Sequence, residues 1–176
     1  MRLFYILILL FPFIISAQTS VNNVKADSTG ATSVCVKTNS NARVYFEIFR
    51  WNKWLKTDSI AVNGSVDTCL QKNLRLHSGQ NVVRIRVVDL SSLKTTALSE
   101  NVRVNNGKET ERCVFSRVCG PSDSLHLTTI TMWEIYDSQG NMVRTGISKG
   151  IPLLGLTKGG YYLNYDNKTA EFFVGD

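Results

Sequence analysis

Apolar and polar residues alternate along most of the chain. Residues 42–50 place Val44, Phe46 and Ile48 on one face of an extended segment, and residues 81–89 repeat this period of two. Such a period is typical of strands with one face in a core and the other in solvent, as in antiparallel sheets. We find no convincing amphipathic helix. The pattern therefore predicts an all-β protein.

Turn signals separate the alternating segments in the first part of the chain. They include Asn63-Gly64, Ser78-Gly79 and Asn106-Gly107, and such dipeptides favour tight turns between strands. Short strands at this regular spacing predict a β-sandwich of about seven strands. These strands are expected near residues 20–25, 32–38, 42–50, 54–62, 66–71, 81–89 and 99–105.

The alternation starts again near Leu125 and predicts a second small antiparallel β-sandwich. Trp133 and Ile135 share one face, and residues 137–140 provide a hairpin loop. A polar break at residues 166–169 then separates two last strands. The domains predicted from the pattern are residues 19–105, a connector at 106–120, and residues 121–176.

The first residues have the pattern of a secretory signal peptide, which we assign to residues 1–17. Arg2 gives a positive start, residues 3–15 are apolar, and Ser16 and Ala17 are small residues at the cleavage point. The apolar run is too short to span a bilayer comfortably, so a transmembrane anchor is the weaker alternative. No later run is apolar enough to span a membrane. The chain is expected to be exported.

The charge balance restricts the classes of partner. The formal net charge is +6, and loss of Arg2 with the signal peptide leaves 6 − 1 = +5. Charged residues are spread singly, without a polybasic tail, so nucleic acid is not an expected partner. A mildly basic exported protein instead favours anionic polysaccharide, lipopolysaccharide or lipid headgroups.

One stretch resembles a known family. LRLHSGQNVVRIRVVD, residues 74–89, is similar to the late part of bacterial immunoglobulin-like domains, where a Leu-rich corner and a turn lead into the sixth strand. The resemblance implies an immunoglobulin-like fold for residues 19–105. In that fold the second and fifth strands are neighbours in one sheet, and the third, sixth and seventh strands form the other.

The four cysteines form an even set, and disulfides are the usual outcome in an oxidising compartment. The immunoglobulin-like frame implies that Cys35 and Cys69 face outward on neighbouring strands and form a bridge. Cys113 and Cys119 are predicted to close a small loop in the connector, with a redox switch as the alternative. The spacing of Cys and His residues disfavours zinc, so no metal or other cofactor is expected.

A second resemblance covers the end of the chain. Tyr136-Asp137-x-x-Gly140-x-x-Val143 is followed by Leu156-x-x-Gly159-x-Tyr161 and a closing hairpin. This order resembles the C-terminal sorting domain of type IX secretion cargo in Bacteroidetes. The resemblance implies delivery to the cell surface or the medium, with the type IX secretion machinery as partner.

Three serines resemble O-glycan acceptors used by the same bacteria. Ser28, Ser59 and Ser124 each follow an aspartate and precede Thr or an apolar residue. The alternative interpretation is that Asp-Ser is favourable turn chemistry.

One group of residues predicts a binding surface. In the immunoglobulin-like frame, side chains opposite the core form a basic outer face, and arginine forks pair well with carboxylate or phosphate. The competing interpretation is a solvated sheet face with ordinary cross-strand pairs to Glu47 and Glu100. If the face is solvated, replacing two of its arginines costs little stability. The face consists of Arg43, Tyr45, Arg84, Arg86 and Arg103.

The sequence lacks recognisable catalytic motifs, with no Ser/His/Asp order, nucleophile elbow or phosphate loop. His77 is expected at the surface and His126 at a strand edge. We therefore predict a non-enzymatic protein at the cell surface or outside the cell. The alternative is an accessory subunit of an outer-membrane or secretion complex, at the periplasmic face, that keeps its C-terminal sandwich as a docking module.

Overall fold

The computed structural model describes residues 18–109, 113–114 and 117–175. The predicted signal peptide lies outside the described residues. Every regular element in the described part is a strand, which confirms the all-β fold class. No helix there is long and apolar enough to cross a membrane. The strands are β1 (Ser20–Ala26), β2 (Ala31–Thr38), β3 (Ala42–Arg50), β4 (Lys53–Val62), β5 (Val66–Asn73), β6 (Gln80–Asp89), β7 (Thr95–Leu98), β8 (Val102–Asn105), β9 (Cys113–Val114), β10 (Val118–Cys119), β11 (Ser124–Asp137), β12 (Met142–Pro152), β13 (Gly159–Tyr165) and β14 (Lys168–Val174).

The first eight strands form two antiparallel sheets around one core. One sheet has the order β1-β2-β5, and the other has the order β4-β3-β6-β7, with β8 also paired to β6. This is the immunoglobulin-like arrangement of first, second and fifth strands against third, sixth and seventh. The alternation was predicted in the correct phase, because Val44, Phe46 and Ile48 are buried opposite Val34 and Val36.

Cys35 and Cys69 form the predicted disulfide. They lie directly opposite each other in the antiparallel pair β2·β5. Their neighbours Val34 and Val36 point into the core, so the bridge lies on the outer side of the sheet.

The predicted seventh strand, residues 99–105, is shorter in the structure: β8 covers only Val102–Asn105, and an additional short strand, β7, precedes it at Thr95–Leu98. Ser99 lies between them and takes the place of a ladder residue: its backbone N–H donates to the carbonyl of Ile85 at 2.9 Å. The N–H of Ile85 in turn donates to the Ser99 hydroxyl at 2.8 Å. A side-chain oxygen thus replaces a backbone acceptor, and the strand is interrupted without leaving the β6 N–H unsatisfied.

The last six strands enclose a second core. Their order is β10-β14-β13-β11-β12, and β9 also pairs with β11. The long strand β11 contributes Leu125 and Leu127 from its first half and Trp133 and Ile135 from its second half to the same core. Its register with β12 shifts between His126 and Thr131. Such irregularities increase strand bending, so one sheet curves around its own core.

The predicted bridge between Cys113 and Cys119 is wrong: the two thiols are not joined by a disulfide. The prediction treated the connector as a loop, but both cysteines belong to strands of the second sheet. Cys113 is paired with Leu127 of β11, whereas Cys119 is paired with Val174 of β14. Two separate strands hold the cysteines, and the loop closure assumed from sequence proximity does not form.

Candidate functional site

The strand register brings the predicted basic face together on the outer side of the β4-β3-β6 sheet. Arg86 lies opposite Tyr45, and Arg84 lies opposite Glu47. Arg43 lies at one end of this row, opposite Val88. Arg103 lies at the other end, opposite Val82. All five predicted residues are therefore on the face that the sequence assigned to them.

Glu47 holds the two central arginines. Its Oε2 accepts a hydrogen bond from Nε of Arg84 at 2.9 Å, and its Oε1 accepts one from Nε of Arg86 at 2.8 Å. The Glu47 side chain is 3% exposed, and the arginine side chains are 19% and 20% exposed. The sequence predicted exposed arginines at these two positions. In the structure both arginines are largely buried, and they form the pairs to Glu47 that the competing interpretation expected.

Burial raises the pKa of Glu47, but the hydrogen bonds from Arg86 and Arg84 and their positive charges outweigh it. The net result is a pKa below the usual glutamate value. Glu47 is therefore ionised at neutral pH, and one carboxylate is shared between two guanidinium groups.

Aromatic rings lie beneath the same cations. The guanidinium carbon of Arg84 is 3.9 Å from the ring centre of Trp54. Arg86 and Lys56 each lie 4.8 Å from the ring centre of Tyr45. Stacked cations of this kind are attracted to the ring faces. These two rings and Glu47 together fix the orientation of the Arg84 and Arg86 side chains.

The predicted face did not include Trp54 and Lys56. Both belong to β4, where Trp54 is opposite Phe49 and Lys56 is opposite Glu47. Their place on this face depends on the register of the β3–β4 hairpin, which the prediction did not specify. Trp51 and Asn52 both have positive φ, at 50° and 60°, as a two-residue hairpin turn requires.

The outer face carries a surplus of positive charge. Among the described strand residues on this face are five cations and one carboxylate, Glu47; the cations are Arg43, Lys56, Arg84, Arg86 and Arg103. Arg43, Lys56 and Arg103 are exposed. The face therefore combines a rigid centre with three solvent-accessible cations around it. We call this set of residues the arginine face.

Hydrogen bonds connect the two cores through Lys53. Its ammonium group lies 2.8 Å from Oε2 of Glu134 and donates to the Tyr136 hydroxyl at 2.7 Å. The Tyr136 hydroxyl donates to Glu134 at 2.8 Å. Burial lowers the pKa of Lys53, but Glu134 and Tyr136 reverse this effect and leave the pKa raised.

A second connection runs from the turn before β6 to the turn before β14. The N–H of Ser78 donates to Oδ1 of Asp166 at 2.7 Å, and its hydroxyl donates to the other carboxylate oxygen. The Asn167 amide donates to the Ser78 carbonyl at 3.3 Å.

His77 lies next to this turn and is 8% exposed, so its predicted surface position is wrong. The Asn81 side chain holds the His77 backbone on both sides, and burial lowers the pKa of His77.

The residues of the sorting-like motif lie on the second sheet and do not converge on one site. Asp137 caps the β11–β12 turn by accepting from the N–H groups of Gln139 and Asn141, both at 2.9 Å. Tyr161 stacks on Phe172 at 5.6 Å between ring centres. Motif residues elsewhere are Gly140 with φ of 81°, the exposed Val143, Leu156 packed on the core, Gly159 at the start of β13, and Tyr136 in the connection described above.

The three serines in the glycan-like motifs lie in different settings. Ser28 is exposed in the turn between β1 and β2, and Ser124 is exposed at the first residue of β11. Ser59 is half-buried within β4. Within the described ranges, no cluster of three or more His, Cys, Asp or Glu residues could hold a metal ion.

Comparison with known proteins gives only distant similarities. No protein-family model matches the chain, and no curated protein matches it. Among solved structures, the chain is similar to the BSP domain of a biofilm associated protein, with 16% identity and a TM-score of 0.31, covering 89% of this chain and 30% of that chain. It is similar to the chicken CNTN1 FN1–FN3 domains, with 10% identity, a TM-score of 0.31 and coverage of 90% and 68%. It is also similar to the Salmonella enterica SafA pilin in complex with the SafB chaperone, with 10% identity, a TM-score of 0.30 and coverage of 88% and 98%.

Proposed function

We propose that the protein is an exported, non-enzymatic binding module whose arginine face binds anionic polysaccharide or lipopolysaccharide. The arrangement of that face carries the proposal: its described strand residues include five cations and one carboxylate, Glu47, and aromatic rings fix the orientation of Arg84 and Arg86. Rigid guanidinium groups lose little freedom when they bind carboxylate or phosphate. Exposed cations around them extend the contact along a polymer. The signal-like first residues and the disulfide support export.

The exposed cations provide the test of this proposal, because they can be removed without disturbing Glu47. Replacing Arg43, Lys56 and Arg103 with serine is expected to weaken retention on immobilised lipopolysaccharide or an acidic polysaccharide. The wild-type protein should elute earlier as salt rises, since exposed charges are screened beyond about 8 Å at physiological ionic strength. Retention is measured as the salt concentration at elution.

A variant of equal net charge separates a specific face from general basicity. Lys25, Lys149 and Lys168 are exposed on other surfaces, so replacing them with serine removes the same three charges. This control should elute close to the wild-type protein. If both triple variants lose retention equally, the arginine face has no special role and total charge explains the binding.

The C-terminal motif supports a finer proposal, that the protein is type IX secretion cargo of a Bacteroidetes cell. The motif order from Tyr136 to Tyr161 is its support. A second candidate is an accessory subunit of an outer-membrane or secretion complex that keeps the C-terminal sheet permanently. The Lys53–Glu134 and Ser78–Asp166 contacts favour this candidate, since the buried carboxylates of Glu134 and Asp166 tie the sheet to the first core.

Processing and localisation separate these two candidates. If the sheet is permanent, intact mass of the native protein should include residues up to the chain end, and the protein should remain with the envelope fraction. If it is a sorting signal, the mature protein should end near residue 120 or deletion of residues 121–176 should trap the chain in the periplasm. Normal surface delivery of the truncated chain would rule out the sorting role.

A further inference from the structure

Arg50 is a buried cation without a direct partner. Arg50 is the last residue of β3 and is only 7% exposed. Among the described residues, no hydrogen bond or ion pair reaches its guanidinium, and its Nε atom is buried without a hydrogen-bond acceptor. The nearest ring is that of Trp51, at 5.4 Å. Buried charges in proteins are normally paired, so an unpaired one points to a missing partner.

The carboxylates around Arg50 are already engaged. Burial lowers its pKa to about 10, against the opposing attraction of Asp166 and Glu134. Asp166 accepts two hydrogen bonds from Ser78, and Glu134 is bound by Lys53. Both acids act on Arg50 through their charge, and neither forms an ion pair with it. Arg50 therefore retains its capacity to bind another carboxylate.

Arg50 lines a cleft of about 740 Å³ between the two cores, a volume typical of sites that bind organic ligands. Two further cations, Arg75 and Lys108, border the same cleft. The carboxylates of Asp58 and Asp166 also line the cleft. Polar and apolar residues share the rest of its wall, and two of the apolar ones, Ile130 and Ile147, leave 64% and 53% of their surface exposed. The cleft thus suits a ligand with an anionic end and an apolar body.

Strand edges border the cleft on two sides. In the described part of the chain, β4 pairs only with β3, and β12 pairs only with β11. Leu55 and Thr57 of β4 line the cleft, as does Ile147 of β12. An unpaired edge offers backbone donors and acceptors to an extended chain, whereas a fatty acid or a sugar acid cannot continue a sheet. The cleft walls therefore favour a peptide.

We propose that this cleft binds the carboxyl-terminal end of an extended segment of a partner protein, with Arg50 pairing its terminal carboxylate. The apolar side chains of the segment pack against Leu55, Ile130 and Ile147, and its backbone extends the edge of β4 or β12. This site is separate from the arginine face, which lies on the outer surface of the first domain.

The probe for this site is a synthetic peptide of six alternating threonine and valine residues, acetylated at its amino end. Binding of the peptide with a free carboxyl end to the mature chain is measured by calorimetry. The same peptide with an amidated end should bind at least tenfold more weakly, because it lacks the charge-assisted hydrogen bonds. Methyl resonances of Ile130 and Ile147 should shift on binding of the free acid.

Arg50→Gln should lower affinity for the free-acid peptide at least tenfold and leave affinity for the amide nearly unchanged. This variant should fold, since it removes an unpaired buried charge. Arg117→Gln, an exposed change at a residue that neither lines the cleft nor belongs to the arginine face, is the matched control and should bind as the wild-type protein does. Absence of binding, equal affinity for acid and amide, an unaffected Arg50→Gln variant, or preference for laurate or glucuronate over the peptide would each overturn the proposal.

Discussion

Replacing Arg84 and Arg86 together with serine is expected to lower the free energy of unfolding by about 3–5 kcal/mol, the cost of leaving a buried charge uncompensated. The residue responsible is Glu47, which is 3% exposed and is bound by both arginines. The rings of Trp54 and Tyr45 also lose their stacked cations. Urea denaturation of the purified variant measures the change.

A third substitution identifies the cause. Adding Glu47→Gln to the double variant should restore part of the lost stability, because a neutral amide is less costly to bury than a carboxylate. Arg43→Ser with Arg103→Ser removes two exposed charges from the same face and should stay within about 1 kcal/mol. If the Arg84/Arg86 variant is as stable as the Arg43/Arg103 variant, burial of Glu47 does not require its two arginine partners. The central pair then contributes nothing to the stability of the fold.

Glu47 should also contribute to acid sensitivity. Its pKa is lower in the folded protein than its usual value, so its contribution to stability is complete above that usual value. The contribution is lost as the pH falls below about 4 and the carboxylate becomes protonated. Stability of the Glu47→Gln variant should depend less on pH in this range.

Loss of the Cys35–Cys69 bridge is expected to lower the free energy of unfolding by about 3–4 kcal/mol, from the chain entropy of its loop. The bridged cysteines are 34 residues apart. Both side chains lie on the outer side of the β2·β5 pair, so replacing them with alanine creates no core cavity. The melting temperature of the double alanine variant should fall by about 10 °C, given the usual scaling with chain size.

Reduction distinguishes this bridge from the other pair of cysteines. Dithiothreitol should lower the melting temperature of the wild-type protein to that of the double alanine variant and leave the variant unchanged. A non-reducing peptide map should contain Cys35 joined to Cys69, with Cys113 and Cys119 alkylated. A bridge from Cys35 to any other cysteine would be incompatible with the register of β2 and β5.

Much of the arrangement of β1 to β8 could be predicted because most of these strands have a period of two. One face of each strand is buried, so a shift of one residue would expose the whole core, and the pattern leaves one solution. Val44, Phe46 and Ile48 were assigned correctly on this basis. The same period placed Arg84 and Arg86 on the outer face. It could not reveal their burial, which depends on Glu47 and on the ring of Trp54 from a neighbouring strand.

The less predictable features depend on contacts between distant segments. His77 looked exposed because it lies in a turn, yet the turn itself is held against Asp166, 88 residues away from Ser78. Cys113 and Cys119 looked like a local loop because they are close in sequence. Their strands pair with β11 and β14, and no local pattern records that pairing. No sequence pattern indicated that Arg50 is buried, since a lone arginine at a strand end is usually exposed.

The pairing of β10 with β14 affects how the chain can be divided. The two strands are parallel, and the N–H groups of Phe173 and Gly175 donate to carbonyls of Arg117 and Cys119, both at 2.9 Å. A cut after Gly120 would separate the last strand from this partner and expose one edge of β14. Exposed edges recruit strands from other molecules and promote aggregation. A C-terminal fragment produced in this way would stay soluble only if another chain replaced β10.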